Sequence, residues 1–89
     1  MKVLYTKSFD KDLESIQHDA DIKQRLTSLI EDLKKLENIY EIKTIKKIEG
    51  YPNYFRIKIS DFRLGFKVVN NELELIRFLH RKDIYRRFP

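Results

Sequence analysis

The hydrophobic period of the chain changes once, near Asn38, and this change constrains the fold more than any other feature of the sequence. Before it, apolar residues recur at helical spacing between Ile22 and Leu36. After it, apolar and charged residues alternate in YFRIKI (54–59) and FRLGFKV (62–68), which is the period of a half-buried strand. Helices followed by consecutive strands are typical of an α+β fold.

The first part of the chain is predicted to form one strand and two helices. KVLYT (2–6) is short and rich in β-forming residues, and Ser8 can cap the first helix. HDAD (18–21) offers a second cap, and Lys34 and Lys35 lie near the end of the longer helix, where the helix dipole favours cations. The apolar positions expected to face the core are Phe9, Leu13 and Ile16 in the first helix and Ile22, Leu26, Leu29, Ile30, Leu33 and Leu36 in the second.

The second part is predicted to form three or four antiparallel strands. IKTIKKI (42–48) is followed by the turn-forming EGYPN, and ELELIRFL (72–79) follows a turn at Asn70-Asn71. The expected order is β-α-α-β-β-β(-β), a single domain over residues 1–89 with the helices packed on one face of a small sheet. The sheet residues expected to pack against Leu26, Leu29, Ile30 and Leu33 are Phe55, Ile57, Ile59, Phe62, Leu64, Phe66 and Val68.

Composition excludes several classes of protein. The chain has no cysteine, so neither a disulfide framework nor a thiolate metal site can stabilise it. No segment approaches the ~18 apolar residues that span a bilayer, and the N-terminal MKVLYTKSFDKDL lacks the apolar region of a signal peptide. We therefore expect a cytoplasmic protein with no membrane partner.

Charge is distributed unevenly along the chain. Residues 1–42 carry 7 Lys and Arg against 9 Asp and Glu, whereas residues 43–89 carry 12 against 5. The second part therefore presents a positive field, as a polyanion-binding surface would. A basic surface that serves only solubility is the alternative.

Three of these cations fall on the two arms of one predicted hairpin. If Ser60-Asp61 is a two-residue turn, Lys58 lies opposite Arg63, and Arg56 lies opposite Gly65. Like charges facing each other destabilise a ladder by ~0.2–1 kcal/mol, and a glycine inside a strand often marks the close approach of a ligand or another backbone. Both features favour a phosphate-binding site, although an ordinary solvated basic face remains the other interpretation.

The C-terminal HRKDIYRRFP (80–89) adds further cations around an aromatic ring. Basic and aromatic residues that alternate in this way can hold phosphates and stack on a base, although Tyr85 could equally pack at a sheet edge. His80 is either a proton donor or a structural residue. Arg86 and Arg87 are either solvated tail charges or general phosphate contacts.

Three segments together carry a resemblance to a known family. KKIEGYPNYFRIKI (46–59), DFRLGFKV (61–68) and LHRKDIYRRF (79–88) resemble, in this order, the RelE/ParE superfamily of bacterial toxins, and specifically its RelE-like branch that cleaves messenger RNA. The resemblance covers essentially the whole chain. It implies a fold similar to the microbial ribonucleases and an activity on messenger RNA exposed in the ribosomal A site.

The resemblance also implies site residues. The family's two basic residues around an apolar one match Arg56-Ile57-Lys58, its next arginine matches Arg63, and its C-terminal arginine and tyrosine match Arg81 and Tyr85. Two departures are that an arginine stands at position 56, where the best-studied members have lysine, and that Arg81 and Tyr85 are closer in sequence than usual. The further cations expected to contact RNA are Lys46, Lys47, Lys67, His80, Lys82, Arg86 and Arg87.

The chemistry implied by the resemblance is attack of the RNA's own 2′-hydroxyl on the adjacent phosphate, which requires neither a metal nor another cofactor. Arg56, Lys58 and Arg63 would stabilise the charged phosphorane, Lys58 is the candidate base, Arg81 would contact the leaving group, and Tyr85 would stack on or hydrogen-bond the substrate. The expected partners are the ribosome, messenger RNA and a cognate antitoxin that masks the site. The main alternative is a ParE-like inhibitor of DNA gyrase, and an inert relic or a plain nucleic-acid-binding module is also compatible with the sequence.

Overall fold

The computed structural model describes residues 1–89. The α+β order predicted from the change of period is confirmed, and a third helix, which was not predicted, follows the last strand. None of the helices is both long enough and apolar enough to cross a membrane. The elements are β1 (Lys2–Tyr5), α1 (Lys7–Glu14), α2 (Ala20–Lys35), a 3₁₀-helix (Ile39–Glu41), β2 (Ile45–Lys47), β3 (Tyr54–Ile59), β4 (Phe62–Val69), β5 (Glu72–His80) and α3 (Arg81–Arg87).

The five strands form one sheet in the order β1-β5-β4-β3-β2. The last four strands are antiparallel neighbours, as predicted, whereas β1 pairs in parallel with β5 at the opposite edge from β2. Asn70 and Asn71 both have positive φ, of 52° and 63°, which suits the tight turn between β4 and β5. Only residues 45–47 of the predicted strand 42–48 pair with β3, so β2 is a short edge strand.

The main core lies between one face of the sheet and helices α1 and α2. The predicted contact is confirmed, because the inward residues of β3 and β4 and the apolar positions of α2 belong to one cluster. The first helix is capped by Thr6, whose hydroxyl accepts from the Phe9 amide, and not by Ser8 as predicted. Asp19, within the predicted segment 18–21, caps α2 through the Ile22 amide.

Helix α3 packs on the opposite face of the sheet. Its two buried anchors, Ile84 and Phe88, are one helical turn apart and contact Leu79 in a small second cluster, which Ile76 and Tyr54 complete. Ile84 is the one buried position within the seven residues of α3 and Phe88 follows the helix, so the apolar positions are too few to predict a helical period.

A buried carboxylate accepts a backbone hydrogen bond from β5 in the part of that strand that β1 does not reach. β1 pairs with β5 only as far as Leu75, and at Ile76 a bulge shifts the register of the β4–β5 ladder on the other side of β5. The carboxylate of Asp12 in α1 accepts from the Phe78 amide at 2.9 Å and from the Arg77 guanidinium at 2.8 and 2.9 Å. The hydrogen bonds and the charge of Asp12 raise the pKa of Arg77 against the opposing effect of burial. The sequence did not predict this contact.

Candidate nucleic-acid interface

Four cations converge on the sheet face that carries α3, near the β3–β4 turn. The predicted pairing is confirmed: Lys58 lies opposite Arg63, and Arg56 lies between Gly65 on one side and Lys46 of β2 on the other. These side chains enclose a pocket of about 180 Å³, which we call the cationic pocket. It is smaller than the ~300–1,000 Å³ sites of drug-sized ligands and suits a phosphate with part of its sugar. Its lining residues are Thr44, Lys46, Arg56, Lys58, Arg63 and Tyr85.

No carboxylate neutralises the cationic pocket. All six salt bridges of the structure involve other cations, and neither acidic residues nor histidines line the pocket. Four uncompensated charges on neighbouring strands repel one another, and an anion placed between them would relieve that repulsion. The position of the charges therefore favours anion binding over a merely soluble surface.

The guanidinium of Arg63 is held in a defined orientation by the hairpin turn. Its Nη1 donates to the carbonyl oxygens of Ser60 at 3.1 Å and Phe62 at 2.9 Å. These bonds use part of its donor set and leave its other N–H groups available to a ligand. A donor that is already oriented loses less conformational freedom when it binds a phosphate.

Tyr85 forms the wall of the cationic pocket contributed by α3. The guanidinium carbon of Arg56 lies 4.6 Å from the centre of the Tyr85 ring, within the range of a cation–π interaction. The Tyr85 side chain is nevertheless 61% exposed, so it is not the packing residue that one interpretation of the sequence expected. Its remaining ring surface is available to stack on a base.

Arg81 and His80 lie outside the cationic pocket. The backbone amide of Arg81 donates to the Asp61 carbonyl oxygen at 2.7 Å, and its side chain forms a 4.0 Å ion pair with the Asp61 carboxylate. His80 caps α3, since its Nδ1 accepts from the Lys82 amide at 3.2 Å, and its ring packs edge-on against Phe62. Of the two interpretations of His80, the structural one accounts for these contacts.

The other cations predicted to contact RNA are spread over a wider surface. Arg86 forms an ion pair with Asp83, and Lys67 lies 5.4 Å from the centre of the Tyr54 ring. Lys47 and Lys82 are exposed, whereas Arg87 lines a separate groove of about 880 Å³ between α1 and α3. That groove also contains three carboxylates, so it lacks the uniform positive charge of the cationic pocket.

The interpretation of Gly65 as a point of ligand approach is wrong. The ring of Phe88 occupies that position, and a Cβ built on Gly65 would lie 2.7 Å from two of its atoms. Glycine is needed here because an aromatic side chain of the protein itself packs on the strand backbone. The space left by the missing Gly65 side chain, which we call the notch, therefore holds α3 on the sheet through Phe88.

Thr44 is the pocket residue that sequence reasoning missed. It precedes β2, and continuing the β2–β3 register by one residue places it opposite Lys58. That register could have revealed it, had the length of β2 been known. Nowhere does the structure bring together three or more His, Cys, Asp or Glu side chains in a group that could hold a metal ion.

The sequence matches a known family and a curated relative over most or all of its length. Residues 3–85 match the family described as ParE toxin of type II toxin-antitoxin system, parDE. The chain is also 40% identical over 90 aligned positions to Toxin RelE3 of Methanocaldococcus jannaschii, with both chains covered completely.

Solved structures share the fold. A RelB-RelE antitoxin-toxin complex from Methanococcus jannaschii contains a chain that is 37% identical, with a TM-score of 0.79 and coverage of 97% of this chain and 99% of that one. The YoeB/ParE toxin from Agrobacterium tumefaciens gives a TM-score of 0.73 at 22% identity, with coverage of 90% and 98%. YafQ from E. coli gives 0.68 at 16% identity, with coverage of 94% and 97%. The last two similarities concern the fold alone.

Proposed function

The chain belongs to the RelE/ParE family of type II toxin–antitoxin toxins, and we propose that it is a ribosome-dependent endoribonuclease that cleaves messenger RNA in the A site and so inhibits translation. The observation that carries this proposal is the cationic pocket, in which four cations without carboxylate partners lie beside an exposed aromatic ring. The 40% identity to a RelE toxin over the complete chain supports the RelE-like activity over the ParE-like one.

The reaction that suits this pocket is attack of a ribose 2′-oxygen on the adjacent phosphorus. The new O2′–P bond forms, the P–O5′ bond breaks, and the RNA is left with a 2′,3′-cyclic phosphate and a 5′-hydroxyl. Lys58, an exposed residue directly opposite Arg63, is the candidate acceptor of the 2′-hydroxyl proton, which it takes up in its neutral amine form to become an ammonium. Arg56 and Arg63 stabilise the negative charge that builds up on the phosphorane oxygens.

The donor set of the pocket suits a reaction without a metal ion. Divalent cations such as Mg²⁺ bind carboxylate and carbonyl oxygens, whereas the side chains here supply amines, guanidiniums and two hydroxyls. The positive field of the pocket would also repel a metal ion. The protein cations therefore take the role of charge stabilisation that a metal plays in many nucleases.

Arg81 is the candidate contact of the leaving 5′-oxygen, once its side chain has separated from Asp61. Its ion pair with Asp61 is long, at 4.0 Å, and both side chains are more than half exposed. Such surface pairs contribute little, on the order of 0–1 kcal/mol, so exchanging Asp61 for the substrate costs little. Solvent then supplies the proton that the leaving oxygen acquires.

The pocket lacks an imidazole or carboxyl group that could complete acid–base catalysis. An incomplete set of catalytic groups explains why the reaction would depend on the ribosome, which fixes the RNA backbone in the geometry required for in-line attack. We further propose that a cognate antitoxin with an acidic segment covers the cationic pocket, by charge complementarity, and blocks access of RNA.

Inducing the protein in bacterial cells should stop translation and produce cuts within the codons of translated messages, because the cationic pocket stabilises the charge on an RNA phosphate. The proposed activity does not involve DNA gyrase. Plasmid supercoiling should stay unchanged. The cuts are mapped by primer extension, and topoisomers are separated on chloroquine gels. Co-expression of the cognate antitoxin should abolish the cuts.

The match to a family described by the name ParE makes gyrase inhibition the second candidate. Relaxed plasmid DNA together with intact messages would favour that candidate and refute the endoribonuclease proposal. Intact messages with normal supercoiling would refute both activities.

A further inference from the structure

Helix α3 is attached to the sheet at both of its ends. At the start, the Arg81 amide donates to the Asp61 carbonyl oxygen of the β3–β4 turn, and His80 caps the first turn. At the other end, the Phe88 amide donates to the Ile84 carbonyl oxygen at 2.9 Å, and the Phe88 side chain turns onto the sheet with only 6% of its surface exposed. A seven-residue helix has little stability of its own, so these attachments determine where it lies.

The attachment at the C-terminal end depends on the missing side chain of Gly65. Three ring atoms of Phe88 lie 2.7–2.8 Å from the position that a Cβ of residue 65 would occupy. Phe88 also packs against Tyr54, with 5.8 Å between ring centres, and against Leu79 and Ile84. Any side chain at position 65 would therefore move the Phe88 ring away from the strand.

The displacement would reach the cationic pocket through Tyr85. Ile84 and Phe88 point to the sheet from one helix face, and Tyr85 lies about 100° around the helix from Ile84, which directs it to the side where Arg56 lies. Gly65 is the direct cross-strand neighbour of Arg56, so the notch adjoins the cationic pocket. Tyr85 is mostly exposed and has no hydrogen bond to another side chain, so its position follows that of the helix.

We propose that Gly65 and Phe88 are positioning residues, which place the Tyr85 ring over Arg56 and thereby shape the wall of the RNA-binding pocket. Neither residue touches the substrate. The effect on cleavage rests on the proposed endoribonuclease function, whereas the effect on the Tyr85–Arg56 contact does not.

The test uses the full-length variants Gly65→Ala, Phe88→Leu and the double variant that combines them. Gly65→Ala should move Phe88 and Tyr85, and lower the single-turnover cleavage rate at saturating ribosome by about 10–10²-fold, the loss expected for a misplacement of about 1 Å. Phe88→Leu removes the ring that meets the new methyl group, so adding Gly65→Ala should then change little. The cleavage rate of the double variant should therefore lie within about threefold of that of Phe88→Leu alone. At two independent sites the losses would instead multiply.

A structural measurement separates the positioning role from the activity. Because the Arg56 guanidinium lies over the Tyr85 ring, its Nε proton should show an upfield ring-current shift in the NMR spectrum of the wild type. This upfield shift should be lost in Gly65→Ala. In the double variant it should have the same value as in Phe88→Leu. Ile30→Val, in the core on the other face of the sheet, serves as the control for general destabilisation and should alter neither the shift nor the rate.

An unchanged Arg56 shift in folded Gly65→Ala would overturn the proposal, as would a double variant whose loss of rate is the product of the two single losses. If Gly65→Ala does not fold, the test rests on Phe88→Leu, in which the upfield shift of the Arg56 Nε proton must be weaker than in the wild type. Shifts that change as expected in a protein whose wild type cleaves no RNA would support the positioning role and refute the proposed function.

Discussion

Arg63→Ala should lower the single-turnover rate of messenger-RNA cleavage on programmed ribosomes by about 10²–10³-fold, the loss typical of one preorganised charge-stabilising donor. The two hydrogen bonds to the turn carbonyls orient the Arg63 guanidinium before substrate arrives, so its removal takes away an oriented donor and not merely a charge. The free energy of unfolding should change by no more than about 0.5 kcal/mol. Loss of these two hydrogen bonds is offset by relief of the repulsion between Arg63 and Lys58.

Two further variants separate geometry from general attraction. Lys35→Ala removes an exposed, unpaired cation from α2, on the other side of the sheet, and should leave the rate at saturating ribosome unchanged. Arg63→Lys keeps the charge but loses the planar donor set, so it should restore only part of the rate. Equal, modest losses in Arg63→Ala and Lys35→Ala would show that the hairpin supplies only charge, and the catalytic assignment of Arg63 would then be withdrawn.

Asp12→Ala should lower the free energy of unfolding by about 3 kcal/mol, measured by urea denaturation. The substitution leaves the Arg77 guanidinium without its ion-pair partner and the buried Phe78 amide without an acceptor. Since a domain of this size is stabilised by only about 5–15 kcal/mol, this loss removes a large share of its stability and raises the unfolded fraction by about 10²-fold.

Asp10→Ala is the matched control, because this carboxylate lies on the same helix and faces solvent. It should cost less than about 1 kcal/mol, the contribution of a charge near a helix N-terminus. Asp12→Asn should fall between the two, since its amide oxygen can still accept one of the hydrogen bonds. A loss below about 1 kcal/mol for Asp12→Ala would mean that solvent replaces the carboxylate at this edge of β5.

The features that the sequence predicted well are those set by neighbours along the chain. The alternation in β3 and β4 together with a two-residue turn at 60–61 determined which residues face each other, so the pairing of Lys58 with Arg63 and of Arg56 with Gly65 followed directly. The spacing of apolar residues in α2 likewise identified the face that covers the sheet. Both predictions rest on repeating patterns, in which several residues agree.

The features that were missed depend on single contacts between distant parts of the chain. Asp12 and Arg77 are 65 residues apart, and nothing near either residue marks it as buried. The role of Gly65 could not be read without knowing that Phe88 returns to the sheet, because a glycine in a strand has several possible causes. Arg81 was expected in the site, yet the start of α3 directs its side chain to Asp61.

The parallel pairing of β1 with β5 has a consequence for the timing of folding. The partners of β1, residues 2–5, are residues 72–75 of β5. The N-terminal strand therefore cannot pair until most of the chain has been synthesised. Contacts that close such long loops form late and slowly, and β5 is also the strand against which α1 packs.

We therefore expect a chain ending at Asn71 to show no cooperative urea transition by circular dichroism, and a cooperative transition in that fragment would contradict this view. During synthesis, residues 72–87 leave the ribosome after the elements against which they pack. The strand that joins β1 to the rest of the sheet and the helix that forms one wall of the cationic pocket are therefore the last elements of this fold to be added.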